Sequence, residues 1–229
     1  MPRTRAPDRL DHILDAAAVA FMRGGYRGTR IDQVAELAEV APGTVYLYVA
    51  SKEALFDLVI RREFGAPLPE HDGPYAVSDP TAIVGRVWEH VESIAHFPAL
   101  ERACSHRTTR DARKELEQVL RELYRFIARY WRAIRITERC AADWPELHAL
   151  FYAQLRRQGL ARFAGLLQRR MDSGQLRNVP DVALAARVAL ETISFFAMHR
   201  HTAPDSADIV GGRAEETVVD MLLASFMPT

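Results

Sequence analysis

Apolar residues recur three and four positions apart along most of the chain, the spacing of an α-helix with one buried face. The first such segment, about Asp8 to Arg23, carries a single apolar stripe of Leu10, Ile13, Leu14, Ala17, Ala18 and Phe21. Gly24 and Gly25 follow and predict its end, because glycine commonly stands at helix C-termini. The sequence has no run of alternating β-branched residues that would indicate a sheet. The pattern therefore predicts an all-α fold.

Three shorter helices are predicted next. Thr29 is placed to cap a second helix that ends near Glu39, and a four-residue turn over 39–42 leads into a short third helix over 43–49. Ser51 is placed to cap a fourth helix. Two short helices joined by such a turn, behind a longer amphipathic helix, are typical of a helix-turn-helix DNA reader.

The composition changes after the fourth helix. Residues 65–80 contain four prolines and two glycines, which predicts a loop or linker rather than a helix. We therefore predict a helix-turn-helix DNA-binding domain over 1–65, a linker or loop over 66–80 and a larger helical domain over 81–229. Within the larger domain, helical segments are predicted at about 80–97, 99–109, 112–139, 143–172, 181–201 and 206–227, with prolines near the boundaries.

The third helix divides into two faces. Val45 and Val49, four residues apart, are predicted to point into the core. The side chains left for the DNA groove and its walls are Thr44, Tyr46, Leu47 and Tyr48. Hydroxyl groups can reach phosphate oxygens, and a leucine can touch a thymine methyl group. The alternative is that the aromatic residues belong to the core.

The stretch Ala16–Leu55 resembles the DNA-binding signature of the TetR family. It contains Phe-x-x-x-Gly-Tyr, a threonine before the second helix, Ala-x-x-Ala-x-Val, Gly-Thr-x-Tyr-x-Tyr and Ser-Lys-Glu-x-Leu in that order. Together with the face argument, the resemblance gives these DNA-binding candidates: Thr29, Pro42, Gly43, Thr44, Tyr46, Leu47, Tyr48 and Lys52. Lys52 lies in the first turn of the fourth helix, where its ammonium and the helix amides can share a phosphate. Two positions depart from the family pattern, since Glu39 replaces a glycine whose φ is positive and Val49 replaces a phenylalanine.

The resemblance also implies that the larger domain dimerises through its last two helices. Their small and apolar residues suit a four-helix bundle between two copies: Ala185, Val188, Ala189, Thr192, Phe196, Val210, Ala214, Val218, Met221 and Leu222. The alternative is that these faces pack only within the chain. Because a single short helix buries too little surface to be specific, two readers about 34–36 Å apart are expected on DNA.

A small-molecule effector is implied by the same resemblance. Large apolar side chains of the kind that line such pockets are Trp88, Phe97, Tyr124, Trp131, Phe151, Tyr152, Phe195 and Met198. They predict a lipophilic or aromatic effector, although each residue alone also suits plain core packing. The histidines show no paired spacing backed by carboxylates, so we predict neither a metal site nor a cofactor.

Charge and composition refine this picture. The net charge is zero, yet residues 1–30 hold six arginines and three aspartates, as expected if one end of the protein touches DNA. Arg3, Arg5 and Arg9 form either an arm along the DNA or a solvated tail. The two cysteines form no CxxC pair, which favours a reducing cytoplasm over a disulfide framework. No membrane span or secretory signal is predicted.

The rival classes are an enzyme and a helical adaptor. The sequence has no GxSxG, GxxxxGK[ST] or HExxH motif, so no catalytic residue is predicted. The combined prediction is a cytoplasmic, homodimeric repressor that binds a palindromic operator in double-stranded DNA. A small molecule in the larger domain is expected to release it.

Overall fold

The computed structural model describes residues 7–70, 72–79 and 81–228. Apart from one isolated parallel bridge between Val49 and Tyr75, the regular structure in these ranges is helical, which confirms the predicted all-α class. The helices are α1 (Pro7–Gly28), α2 (Ile31–Leu37), α3 (Pro42–Val45), α4 (Lys52–Phe64), α5 (Thr81–Ile94), α6 (Pro98–Ser105), α7 (Ala112–Arg129), α8 (Trp131–Ala141), α9 (Pro145–His148), α10 (Arg157–Asp172), α11 (Val182–Ala197) and α12 (Gly211–Phe226). Ala149–Arg156 is π-helical and joins α9 to α10, and a 3-10 turn, His199–His201, follows α11.

The chain forms two compact units. The first unit contains the described residues up to Ile94 together with Arg132–Phe151, and the second contains Ala95–Trp131 and the described residues from Tyr152 onward. The first unit is thus larger than the predicted reader, because α5 and most of the α8–α9 region belong to it.

The core of the first unit forms around α1 and α4. Five of the six residues in the predicted stripe of α1 have no exposed surface, namely Ile13, Leu14, Ala17, Ala18 and Phe21, and Leu10 is partly exposed. Every residue from 54 to 60 of α4 is buried, so this helix runs through the centre of the unit. Burial of an aliphatic or aromatic side chain contributes about 1.5–3 kcal/mol, and this shared core therefore holds the short helices.

The second unit is built from longer amphipathic helices. One face of α7 packs against α11 and α12, while α10 packs against α6 and α11. Arg170 of α10 is buried among them with its guanidinium fully used. Its Nε and Nη2 donate to Glu115 at 2.7 and 3.0 Å, and its remaining bonds go to the carbonyl oxygens of Ala103, His106 and Arg107. A buried charge is tolerated here because it is paired and hydrogen-bonded.

Two predicted helices are interrupted. The segment predicted over 112–139 breaks at Tyr130, which leaves the helical conformation with φ −105° and ψ 22°. The segment predicted over 143–172 contains the π-helical stretch instead of one continuous α-helix. The sequence shows neither glycine nor proline at these breaks, so its periodicity continues through them.

Candidate nucleic-acid interface

The turn between α2 and α3 has the geometry expected of a helix-turn-helix. Residues 38–41 connect the two helices, and the amide of Val40 donates to the carbonyl oxygen of Ala35 at 2.9 Å. Glu39 has φ 53°, in the left-handed region that favours glycine. The predicted positive φ at this position is therefore confirmed.

Helix α3 is shorter than predicted. Its α-helical part is Pro42–Val45, and the predicted remainder to Val49 is a hydrogen-bonded turn. In that turn the amides of Leu47 and Tyr48 donate to the carbonyl oxygens of Thr44 and Val45 at 3.1 and 2.9 Å. Val45 and Val49 have no exposed surface, which confirms the predicted inner face.

Fewer of the candidate DNA-binding residues are exposed on the outer face of α3 and the turn after it than the sequence predicts. Pro42, Gly43 and Tyr46 are exposed, and Tyr46 keeps 49% of its surface accessible. Leu47 is half-buried, whereas Thr44 and Tyr48 are buried at 9% and 5% exposure. The structure thus shows packing roles for Thr44 and Tyr48, and their contact with DNA stays a prediction.

The prediction that Thr29 caps α2 is wrong. Its hydroxyl donates to the carbonyl oxygen of Gly25 at 2.7 Å, and the residue is buried. Helix α2 starts two residues after Thr29, so its N-cap is Arg30, whose amide donates to Oε1 of Gln33 at 3.1 Å. The hydroxyl instead satisfies a carbonyl freed where α1 breaks, because Gly25 has φ 70° and ψ −172°.

Lys52 links the start of α4 to the turn between α1 and α2. Its Nζ donates to the carbonyl oxygens of Tyr26 and Thr29 at 3.0 and 3.3 Å and lies 4.6 Å from the centre of the Tyr26 ring. The hydroxyl of Tyr26 donates to Glu53 at 2.6 Å. Burial and this bond raise the pKa of Tyr26, and the bond lowers the pKa of Glu53. The lysine side chain is therefore held in place at the N-terminus of α4.

Asp143 and Trp144 also contact this region, at Arg27 and Tyr26, and they were not predicted as site residues from the sequence. The Asp143 carboxylate accepts the amide of Arg27 at 3.0 Å, and the Trp144 ring lies 4.9 Å from that of Tyr26. A Cβ on Gly25 would come within 2.8 Å of Asp143 Oδ2, so glycine is required there for space as well as for its positive φ. Both contacts join residues more than 100 positions apart, so no local pattern indicates them.

The predicted pocket residues divide between the two units. Trp88 and Phe151 belong to the first unit, and the other six belong to the second. Within the second unit, the Tyr124 hydroxyl donates to the carbonyl oxygen of Phe196 at 3.1 Å and Trp131 stacks on His201 at 4.3 Å. The first unit has a separate cavity of about 330 Å³ between α4 and α5, whose lining includes Trp88's helical neighbour Val87. An effector pocket made of the predicted residues stays a prediction.

The last two helices have both a buried and an exposed apolar face. Among the predicted dimer residues, Ala189, Ala214, Val218 and Leu222 are buried within the protomer, and Ala185, Thr192 and Phe196 are partly buried. The exposed large apolar side chains on this pair are Leu184, Val188, Phe195, Val210 and Met221, at 59%, 55%, 40%, 62% and 67% exposure. Leu184 and Phe195 were not among the predicted interface residues. By length and composition alone, Val182–His201 would also suffice to cross a membrane, with 28% of the apolar window buried.

The prediction of an N-terminal arm falls mostly outside the described residues. Arg3 and Arg5 lie outside the described residues, and Arg9 is exposed on α1. Within the described ranges, no group of three or more His, Cys, Asp or Glu side chains is arranged to hold a metal ion.

Comparison with known proteins connects these features to one family. Residues 13–59 match the family model of bacterial regulatory proteins of the tetR family, and residues 116–227 match the C-terminal domain of AefR-like transcriptional repressors. The HTH-type transcriptional regulator YhgD of Bacillus subtilis is 48% identical over 50 residues, which are 22% of this chain and 26% of that protein. The chain thus matches about a quarter of the length of this curated relative.

Two solved structures share the fold over nearly the whole chain. The ketosteroid transcriptional regulator KstR2 of Mycobacterium tuberculosis is 15% identical with a TM-score of 0.59 and covers 98% of both chains. AibR in complex with isovaleryl coenzyme A and operator DNA is 16% identical with a TM-score of 0.54 and covers 96% of this chain and 98% of that one. At these identities the likeness shows the fold alone.

Proposed function

Because this chain belongs to the TetR family of bacterial transcriptional regulators, we propose that it is a dimeric repressor of a roughly palindromic operator in double-stranded DNA. The observation that carries the proposal is that residues 42–49, which comprise α3 and the turn after it, have a buried inner side and an exposed outer side. Val45 and Val49 anchor the helix, while Pro42, Gly43 and Tyr46 remain accessible. A groove-reading helix needs this combination of anchoring and exposure.

The contacts of α3 with DNA follow from its side chains. The Tyr46 hydroxyl is proposed to bind a phosphate and Leu47 to touch a base edge, with Thr44 and Tyr48 supporting them. At the N-terminus of α4, Lys52 adds positive charge beside helix amides that can bind the same phosphate. Thr29 is proposed to act from inside, by fixing the turn before α2.

Dimerisation is proposed through the exposed apolar side chains of α11 and α12. A soluble monomer seldom leaves so many large apolar side chains together on one helix pair, and a second copy would cover them. Arg187 and Glu191 lie on α11 among these residues and form an ion pair, which a lipid environment would penalise. These charges favour a protein partner over a membrane, and we propose a cytoplasmic location.

Release by a small lipophilic or aromatic effector is the second half of the proposal. The predicted pocket residues in the second unit are largely apolar, as such a ligand requires. Fold relatives named for ketosteroid regulation and bound to isovaleryl coenzyme A agree with an effector that has an apolar part. The effector needs no contact with DNA, because it acts by binding two states of the dimer with different affinity. No catalytic step is proposed.

The test is fluorescence anisotropy on labelled DNA from just upstream of the protein's own gene, with excess random DNA and varied salt. The proposal predicts tight binding by two protomers per site that falls steeply with salt, because bound phosphates release counterions. An enzyme or an adaptor would show no such slope. Absence of binding at low salt, also on DNA selected from random sequences, would contradict the proposal.

Three variants assign roles within the reader. Tyr46→Phe should weaken binding to all sequences alike, because phosphate contacts carry no base information. Lys52→Ala should weaken binding more, because it also removes the bonds from Nζ to the carbonyl oxygens of Tyr26 and Thr29. Leu47→Ala should instead change the sequence preference. An equal loss on every DNA sequence for Leu47→Ala would remove its proposed role.

A further inference from the structure

Helix α3 is too short to fix its own position. Its α-helical part has four residues, whereas isolated helices below about 12–15 residues are marginal in water. The side chains of Val45 and Val49 are fully buried, but apolar burial is non-directional and does not by itself fix the tilt of so short a helix. Its C-terminal end therefore needs directional contacts.

Residues 72–79, which we call the strap, supply these contacts. Tyr75 forms a parallel bridge with Val49, the residue that ends the turn after α3. The amide of Tyr75 donates to the carbonyl oxygen of Tyr48 at 2.7 Å, and its own carbonyl oxygen accepts the amide of Ala50 at 2.8 Å. The backbone on both sides of Val49 is thus hydrogen-bonded to one residue of the strap.

The side chain of Tyr75 fixes the strap to α4. Its hydroxyl donates to Oδ2 of Asp57 at 2.5 Å, and Asp57 is buried at 1% exposure. The same carboxylate accepts Nε of Arg61 at 3.0 Å and, through Oδ1, Nε and Nη2 of Arg86 on α5 at 3.3 and 3.2 Å. Burial and the bond to Asp57 raise the pKa of Tyr75, which keeps the phenol protonated as the donor.

We propose that Tyr75 is a positioning residue for DNA reading, which holds the end of α3 through its backbone while Asp57 holds its side chain. Tyr75 thereby connects the end of α3 to Asp57 on α4. Asp57 is in turn paired with Arg86 on α5, so the three helices are linked through these residues. A displacement of α5 relative to α4 would move Arg86, loosen Asp57 and reach α3 through Tyr75. This inference rests on the proposed DNA-binding function.

The expected consequence is a loss of discrimination rather than of all binding. Base contacts demand that α3 sit at one angle in the groove, whereas phosphate contacts from flexible side chains tolerate a tilt. Freeing the end of α3 should therefore weaken operator binding more than binding to random DNA. A purely structural role would lower both in parallel with stability.

The test compares Tyr75→Phe, which removes only the hydroxyl, with Tyr124→Phe in the second unit. Tyr124 also donates one hydrogen bond, at 3.1 Å to the carbonyl oxygen of Phe196, so the control loses a matched group. Tyr75→Phe should weaken operator binding about fivefold and random-DNA binding less than twofold, because only part of the contribution of this bond is expressed in the position of α3. Tyr124→Phe should leave the ratio of the two affinities unchanged.

Amide hydrogen exchange gives a readout that needs no DNA. The Ala50 amide, which donates to Tyr75, should exchange about tenfold faster in Tyr75→Phe and in Asp57→Asn than in the wild type, while α10 amides stay unchanged. Unchanged exchange at Ala50 would overturn the strap's role whatever the DNA result. Faster exchange with an unchanged affinity ratio would overturn the positioning role, and a wild type that fails to discriminate DNA would instead contradict the proposed function.

Discussion

The two compact units differ in the interactions that stabilise each of them internally. In the first unit, the short helices around α3 depend on polar links at their turns, made by Lys52, Tyr75 and Asp143. In the second unit, long helices such as α7 and α10 bury continuous apolar faces. Short helices offer few side chains to bury, so hydrogen bonds of fixed direction add to the core contacts that hold them. Long helices bury more apolar area and depend less on such bonds.

The surfaces differ in the same way. The exposed large residue at the end of α3 is Tyr46, which carries a hydroxyl, whereas α11 and α12 expose leucine, valine, phenylalanine and methionine. A hydroxyl on an exposed helix suits phosphate and base edges, while aliphatic groups suit another protein surface. This difference supports the proposal that the first unit binds DNA and the second unit binds a second protomer.

The largest expected effect is the loss of stability caused by a cavity in the core of the second unit. Phe163 is fully buried in its core, so Phe163→Ala should lower the free energy of unfolding by about 3–5 kcal/mol, measured by urea denaturation. Arg162→Ala is the control, since Arg162 is an exposed neighbour on the same helix and its truncation should change the free energy of unfolding by about 0.5 kcal/mol or less. Equal losses would mean that the apolar core does not hold this unit.

The addition of a single methyl group at Gly25 should destabilise the first unit nearly as much. Gly25→Ala places a Cβ 2.8 Å from Asp143 Oδ2 at φ +70°, and we expect a loss of about 2–3 kcal/mol in the same assay. Gly28→Ala is the matched control, because its Cβ would meet nothing within 4 Å. A stability of Gly25→Ala close to that of Gly28→Ala would show that Asp143 can move away and does not restrict residue 25.

Charge on the outer face of α12 should separate the protomers. Met221 is 67% exposed, so Met221→Glu leaves the protomer folded but buries a charge in the proposed interface, and we expect at least about 100-fold weaker dimerisation. Analytical ultracentrifugation measures this. Leu37→Glu, at an exposed apolar residue of the first unit, should leave the dimer intact. A dimer insensitive to Met221→Glu would place the interface elsewhere, and association with vesicles would favour a membrane.

The smallest expected effect is a gain in the free energy of unfolding. Glu39→Gly removes a side chain from the left-handed region, and we expect about 0.5–1 kcal/mol of added stability after the greater entropy of glycine in the unfolded chain is subtracted. Glu36→Gly, within α2, should instead lose about 1 kcal/mol. Thermal unfolding of the two variants distinguishes these signs, and a loss in both would contradict the strain at Glu39.

Sequence reasoning succeeded where the information is local. The stripe of α1, the Ser51 cap, which accepts the amide of Ala54 at 3.2 Å, and the positive φ at Glu39 each depend on a few neighbouring residues. The Thr29 cap was wrong because the hydroxyl had two possible partners close together, and only the break at Gly25 decides between them. Local pattern thus predicts elements better than it predicts the partner of a single side chain.

The remaining features depend on pairs far apart in the sequence. Asp143 meets Arg27 across 116 residues, and Tyr75 meets Asp57 across 18, so no periodicity could reveal them. Helix α11 is apolar on two faces, with Ala186, Ala189 and Ile193 inside and Val188 outside. A helical repeat shows that both faces are apolar but not which one the protomer buries, which is why the predicted interface mixed them.

The central claim is that the exposed face of α3 reads DNA, and the operator affinity of Tyr46→Ala tests it most directly. Tyr46 is 49% exposed, so its truncation should leave the melting temperature nearly unchanged. Operator binding by Tyr46→Ala should be at least about tenfold weaker than that of the wild type in the same anisotropy titration. An unchanged affinity, with the wild type binding its operator specifically, would contradict the account.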